Sequence, residues 1–187
     1  NRMIRRSISF ALIFAAAAIS VLPAEAADTA RRFAASDSSK KRIAIIDRKG
    51  DIEWEYRIGP LHDLHVLPTG TILFQTSMTR LLEVDPRTDK IVWEYDAANS
   101  NGNKGRPVQV HAFQRLDDGV TMIAESGPAR IIEVDKSGKL LKEVALKVDH
   151  PHVHRDTRLA RKIDNGNYLV CHEADGMVRE YDPSGKV

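Results

Sequence analysis

Asp85-Pro86-Arg87-Thr88-Asp89-Lys90-Ile91-Val92-Trp93-Glu94-Tyr95 decides the fold, because the chain keeps returning to it. An acidic turn opens into a short apolar strand. The same order stands at Asp47-Arg48-Lys49-Gly50-Asp51-Ile52-Glu53-Trp54-Glu55-Tyr56 and at Asp135-Lys136-Ser137-Gly138-Lys139-Leu140-Leu141-Lys142-Glu143-Val144. It begins once more at Asp182-Pro183-Ser184-Gly185-Lys186-Val187. The leading aspartates are 38, 50 and 47 residues apart. A second marker alternates with the first: Leu67-Pro68-Thr69-Gly70, Leu116-Asp117-Asp118-Gly119 and Ile163-Asp164-Asn165-Gly166, each followed by an apolar run, with glycines 49 and 47 apart. Two independent markers sharing one period define a repeat architecture.

Both markers have a physical basis. Asp and Asn bond to their own turn, and Gly accepts positive φ without a side-chain clash. Between the turns lie short runs rich in Ile, Val, Leu and aromatics, as strands require. Four short strands per roughly 47-residue unit is the spacing of a β-propeller. One blade is expected at about 62–67, 71–76, 80–85 and 90–95, and the next at 108–115, 120–125, 130–134 and 139–146. A third opens at 153–162, 167–172 and 177–181. Residues 43–56 supply the last two strands of a preceding blade, and 27–42 form an N-terminal arm with a short helical piece around Ala27–Ala35. The expected fold is thus all-β, an incomplete propeller fragment of about three and a half blades. The missing blades are expected in a longer parent chain, with a protein partner as the alternative. Trp54 and Trp93, at matching places, should pack blade against blade. Glu143 stands where a third Trp would fall unless the alignment shifts by one.

The first 26 residues read as a secretory leader. Arg2, Arg5 and Arg6 precede an apolar run from Ile8 to Leu22, and Ala24-Glu25-Ala26 suits cleavage after Ala26. The apolar run is shorter than the roughly 20 residues a spanning helix needs, and an uncleaved anchor is the other reading. The expected address is therefore periplasmic or secreted, with no membrane span after cleavage. Setting the leader aside removes three of 28 basic residues and one of 26 acidic ones, so 25 of each remain. A balanced chain without a basic block is not a nucleic-acid binder. Cys171 is the sole cysteine, which excludes an internal disulfide and cysteine-based zinc motifs.

All seven histidines lie beyond the leader: His62, His65, His111, His150, His152, His154 and His172. Inner strands of a propeller, and the connections entering them, converge on its axis. His65, His111 and His154, with Arg158 or Arg155, are therefore the candidate site. Imidazole suits proton transfer or nucleophilic attack near neutral pH, and arginine suits anionic oxygens. Two other readings stay open. The histidines serve only turns and solvent, or they bind a metal, with His152 and His154 sharing a strand face. The insertion Asn99–Pro107 either frames a substrate mouth or is simply a long loop.

The Asp85–Trp93 segment resembles the blade signature of quinoprotein-like propellers, with Asp89 in place of the usual Gly. His62-Asp63-Leu64-His65-Val66-Leu67-Pro68-Thr69-Gly70 looks more like the bacterial arylsulfotransferase type. That resemblance, over about residues 43–187, implies a periplasmic ring with central histidines, one accepting a sulfuryl group beside an arginine. It also implies a small anionic aryl substrate. His111, His154 and Arg158 would take those roles. The quinoprotein dehydrogenases would imply pyrroloquinoline quinone with calcium, but the paired vicinal cysteines of several such enzymes are missing, so no cofactor is expected. Many quinoprotein-like propellers act as scaffolds, which is the rival reading.

Overall fold

The computed structural model describes residues 30–187, so the expected leader and its cleavage site lie outside the described residues. The described chain is essentially all-β. Its fourteen strands form four antiparallel sheets, each a meander, and the sheets do not close into a ring. The first sheet holds β1 (Phe33–Asp37), β2 (Arg42–Ile46) and β3 (Ile52–Arg57). The second holds β4 (Leu64–Val66), β5 (Ile72–Gln75), β6 (Arg80–Asp85) and β7 (Lys90–Asp96). The third holds β8 (Gln109–Arg115), β9 (Thr121–Ser126), β10 (Arg130–Val134) and β11 (Leu140–Ala145). The fourth holds β12 (Leu159–Lys162), β13 (Tyr168–His172) and β14 (Met177–Tyr181). Among the described residues no helix is long and apolar enough to cross a membrane.

Two boundaries differ from the sequence reading. The arm assigned to 27–42 contributes a strand, because Phe33–Asp37 pairs with β2 and its described part is not helical. The third inner strand starts at Leu159 rather than 153, since residues 152–156 fold into a turn closed by Arg155 and Asp156 N–H groups on the His152 carbonyl. A proline and a run of imidazoles offered no strand alternation to begin earlier.

The acidic turns work as expected. The Oδ1 atoms of Asp47, Asp135 and Asp182 each accept the backbone N–H groups two and four residues on, at 2.8 to 3.1 Å. The register then shifts at the same place in three blades, between Ile45 and Ile46, Glu83 and Val84, and Glu133 and Val134. Such a bulge sharpens strand twist just before the turn.

Alternation sends one set of side chains from each strand into the gaps between sheets. Ile43, Ile45 and Trp54 meet Ile72, Phe74, Leu82 and Val84. Leu73, Leu81, Trp93 and Tyr95 meet Val110, Phe113, Ile123 and Ile132. Met122, Ala124 and Ile131 meet Tyr168, Val170 and Tyr181. Each large side chain buried this way contributes roughly 1.5–3 kcal/mol. Both tryptophans thus pack blade to blade. The third Trp position is Lys142, not Glu143: Trp93 pairs with Glu83, and Lys142 pairs with the equivalent Glu133. Lys142 lays its ammonium 5.6 Å from the centre of the Tyr168 ring.

Asp89, the departure from the usual Gly, has a use. It holds φ 56°, and its Oδ1 accepts the indole N–H of Trp54 from the preceding sheet at 2.7 Å. The next blade has Gly138 at that place, and the buried Trp93 indole N–H has no hydrogen-bond partner. Asp89→Ala should lower stability by about 2 kcal/mol, from the lost bond and the strain of alanine at positive φ. Asp89→Asn, which keeps an acceptor and tolerates that φ, should change it little. Urea unfolding of the two variants checks this.

Candidate functional site at the clustered histidines

Each inner strand is short, and a defined set of polar contacts holds the segment entering it. Before β4, the backbone N–H groups of His62 and Asp63 both donate to Gln75 Oε1, while Gln75 Nε2 donates to the Val110 carbonyl of the next sheet. Before β12, the two Asp156 carboxylate oxygens accept the N–H groups of His152 and Gly127. Gly127 holds φ 94°, and a Cβ there would lie 2.4 Å from the Pro107 carbonyl, so the two segments approach too closely for any other residue. Thr157 N–H donates to Ser126 Oγ at 2.8 Å.

These contacts bring three imidazoles together. The ring centres of His62 and His111 are 4.6 Å apart, those of His111 and His154 are 4.9 Å apart, and those of His62 and His154 are 6.0 Å apart, all edge to face. Arg158 joins them, with Nη1 3.1 Å from His154 Nε2 and Nε 2.7 Å from Glu173 Oε2.

The hydrogen bonds assign the ring protons. His111 Nδ1 lies 2.9 Å from the Thr157 carbonyl, which can only accept, so Nδ1 carries the proton and Nε2 presents a lone pair. That Nε2 is buried and has no hydrogen-bond partner. In His154 the Nε2 lone pair is taken by Arg158, and Nδ1–H donates to Gln109 Oε1 at 2.7 Å. His111 is therefore the neutral imidazole with an uncommitted nitrogen, while His154 is oriented from both sides. His62 is exposed and covers His111, which is fully buried.

Burial pushes the His111 imidazole down to about 4; the Thr157 carbonyl opposes this, and His62, Arg158 and His154 add to it. His62 is also lowered, by burial first and then by Arg158 and His154. The linkage sign follows. Between the ordinary histidine value of about 6.5 and pH 4, the unfolded chain binds a proton that folded His111 refuses. Stability should fall as pH drops through that window, by up to about 3 kcal/mol from this residue. His62 and His172, also depressed, act in the same direction. Urea melts across pH 4–7 should show this slope, and His111→Asn should flatten it.

The other predicted residues fall elsewhere. His65 lies in β4 away from the trio, its ring edge-on to Phe113 at 5.4 Å and its Nε2 3.1 Å from Asp63 Oδ1. It turns aside because its place in the strand faces the neighbouring blade's core. Arg155 is exposed, and His150 pairs with Asp175 at 3.2 Å. His172 is buried between the Asp156 carbonyl and the Tyr181 hydroxyl. His152 and His154 lie in a turn, not on a strand face. Among the described residues no group of three His, Cys, Asp or Glu side chains is arranged to hold a metal ion. The Asn99–Pro107 insertion is pinned by buried Asn103, which bonds Ala97 O and Glu125 and accepts from Arg130.

His62 is the residue that the sequence reading left out. Its signal was present: His62, His111 and Arg158 each stand eight residues before their repeat glycines Gly70, Gly119 and Gly166. One equivalent position from each of three blades supplies three members of the cluster, and His154 joins them from the turn before β12.

No family model matches the sequence, and no curated protein matches it either. Solved structures do. A protein of unknown function from Bacteroides caccae superposes with TM-score 0.67 at 25% identity, over 82% of this chain and 54% of that one. The WD40 β-propeller domain of Doa1 gives TM-score 0.60 at 15% identity, over 81% and 46%. The architecture is β-propeller-like. A catalytically inactive histidine-to-alanine variant of virginiamycin B lyase from Staphylococcus aureus, solved with quinupristin, gives TM-score 0.53 at 18% identity, over 86% and 57%. This propeller-like chain spans about half the length of the structures it matches.

Proposed function

We propose that this chain is part of an exported propeller enzyme that transfers a sulfuryl group between phenols through His111. The observation carrying the reading is the uncommitted Nε2 of a neutral, oriented imidazole, set among two further imidazoles and the Arg158 guanidinium. Virginiamycin B lyase, a neighbour in fold whose histidine-to-alanine variant is inactive, supports a histidine-dependent reaction.

The chemistry balances on these residues. His62, the exposed ring, turns away and admits an aryl sulfate. The His111 Nε2 lone pair attacks sulfur; the Nε2–S bond forms and the S–O(aryl) bond breaks, its electrons leaving with the phenolate. The sulfated ring keeps its Nδ1 proton on the Thr157 carbonyl, which stabilises the positive charge gained. Arg158 pairs with the sulfuryl oxygens, and solvent protonates the departing phenolate, since burial, Arg158 and His154 keep His62 neutral. The acceptor phenol then attacks sulfur, the N–S bond breaks, and neutral His62 takes the acceptor's proton.

The purified protein should be given an aryl sulfate with and without a phenol acceptor. Without acceptor, one sulfuryl group should remain on the protein, located to His111 by peptide mass spectrometry. An adduct elsewhere, or no donor cleavage across several aryl sulfates, would overturn the transferase reading in favour of a binding scaffold.

A further inference from the structure

The outward face of the fourth sheet repeats, position by position, faces that are covered elsewhere in the chain. In the third sheet, one row across the strands is Ala112, Ala124, Ile131, and the next is Gln114, Met122, Glu133. The fourth sheet presents Leu159, Cys171, Val178 and Arg161, Leu169, Glu180 in the same registers. The apolar members of the first set are fully buried against the fourth sheet. Their counterparts Leu159, Leu169 and Val178 are 43%, 42% and 57% exposed.

The carboxylate in the second row discriminates further. Glu83, two residues before Asp85, accepts Arg115 of the next blade at 2.6 Å. Glu133, two before Asp135, accepts Lys162 of the next blade at 2.7 Å. Arg115 and Lys162 each stand four residues before a repeat glycine. In the first interface both members change together: Ile45 precedes Asp47 by two, and Val66 precedes Gly70 by four. Glu180, two before Asp182, follows the charged pattern. Its Oε1 takes the Asn165 and Asn167 amides, as Glu83 Oε1 takes Thr71, and among the described residues no cation pairs with it.

We infer that this face binds a further blade of the same repeat whose lysine or arginine, four residues before its repeat glycine, pairs with Glu180. A blade fits better than a second copy of the described sheets, because the first sheet would bring its β1–β3 face, in which Ala35 and Ala44 pair at the centre. Those small side chains leave the exposed Val178 and Leu169 poorly filled.

The test uses Cys171, partly exposed on this face, as reporter. Val187 occupies the repeat position of Leu140, so a second copy of residues 141–187 joined after Val187 continues the 47-residue period and places a lysine opposite Glu180. Alkylation of Cys171 by iodoacetamide should slow at least tenfold in the lengthened chain relative to the 187-residue chain. Glu180→Lys should restore fast alkylation, and reversing the appended lysine to glutamate should slow it again. A chain carrying two added copies gives the same reading if one repeat does not fold unaided. Equal alkylation in all these chains, or insensitivity to the charge swap, would overturn the proposal. So would a dimer of the 187-residue chain with Cys171 already protected, which would assign the face to a second copy.

Discussion

His111→Ala should lower release of phenol from an aryl sulfate by roughly 10⁴-fold, with folding intact by circular dichroism. Removing a nucleophile eliminates the covalent route altogether, and losses of this order follow when such a residue acts with its neighbours as a unit. His154→Ala should cost less, about 10- to 100-fold. His154 positions Arg158 and takes no covalent part, and misplacing an orienting group by about an ångström has that scale of effect. The distinction is measurable: His111→Ala should abolish the sulfuryl adduct, whereas His154→Ala should slow its formation without moving it. His62→Ala should leave adduct formation possible but shift the pH dependence of its discharge to acceptor, because proton transfer is then left to solvent. Equal activity in His111→Ala and the parent would sink the mechanism, even if the rings cluster as described.

The largest effect on stability is expected at Asp63. This buried carboxylate accepts both Nη groups of Arg161, at 2.8 and 2.9 Å, across 98 residues of sequence. It also accepts the backbone N–H of Leu64 and, at 3.4 Å, that of Phe113. It therefore ties the inner strands of three successive sheets. Asp63→Ala should destabilise the fold by roughly 3 kcal/mol, the scale for removing one partner of a buried, hydrogen-bonded ion pair. Arg161→Ala alone should cost less, since that guanidinium is partly exposed, and the double variant should cost less than the sum. Burial pushes the Asp63 carboxyl up, but His65 and Arg161 outweigh it and hold it below the usual carboxylate range. Its contribution is thus present above about pH 4 and lost as pH falls below that. This places it under the histidine window, so acid unfolding should proceed in two pH ranges. Because Asp63 sits beside His62, the same substitution should also loosen the histidine cluster.

The histidine site was only half legible in advance. His111, His154 and Arg158 were reachable from the idea that inner strands converge. His65 was not excluded by it, because convergence says which strand faces the axis and not which side chain. Strand alternation turns His65 toward Phe113, whereas His62 precedes β4 and is held by Gln75. Gln75, Gln109, Thr157 and Glu173 carry no motif at all. Each matters only through a partner 13 to 46 residues away in sequence.

The repeat by itself determined the sheets. Asp, Asn and Gly at a near-constant period specify turns through local bonding and positive φ, and alternation between them specifies which side chains are buried. Those are short-range effects, so they can be read along one chain. The arm strand Phe33–Asp37 escaped that reading because it lacks both markers and pairs only through β2. What the tertiary structure alone decided is the arrangement of the histidine cluster: which imidazole keeps a lone pair, which gives it to an arginine, and which one covers His111. Those outcomes depend on distances between blades, and a hydrogen bond or ion pair changes its meaning within an ångström, a resolution that residue order cannot supply.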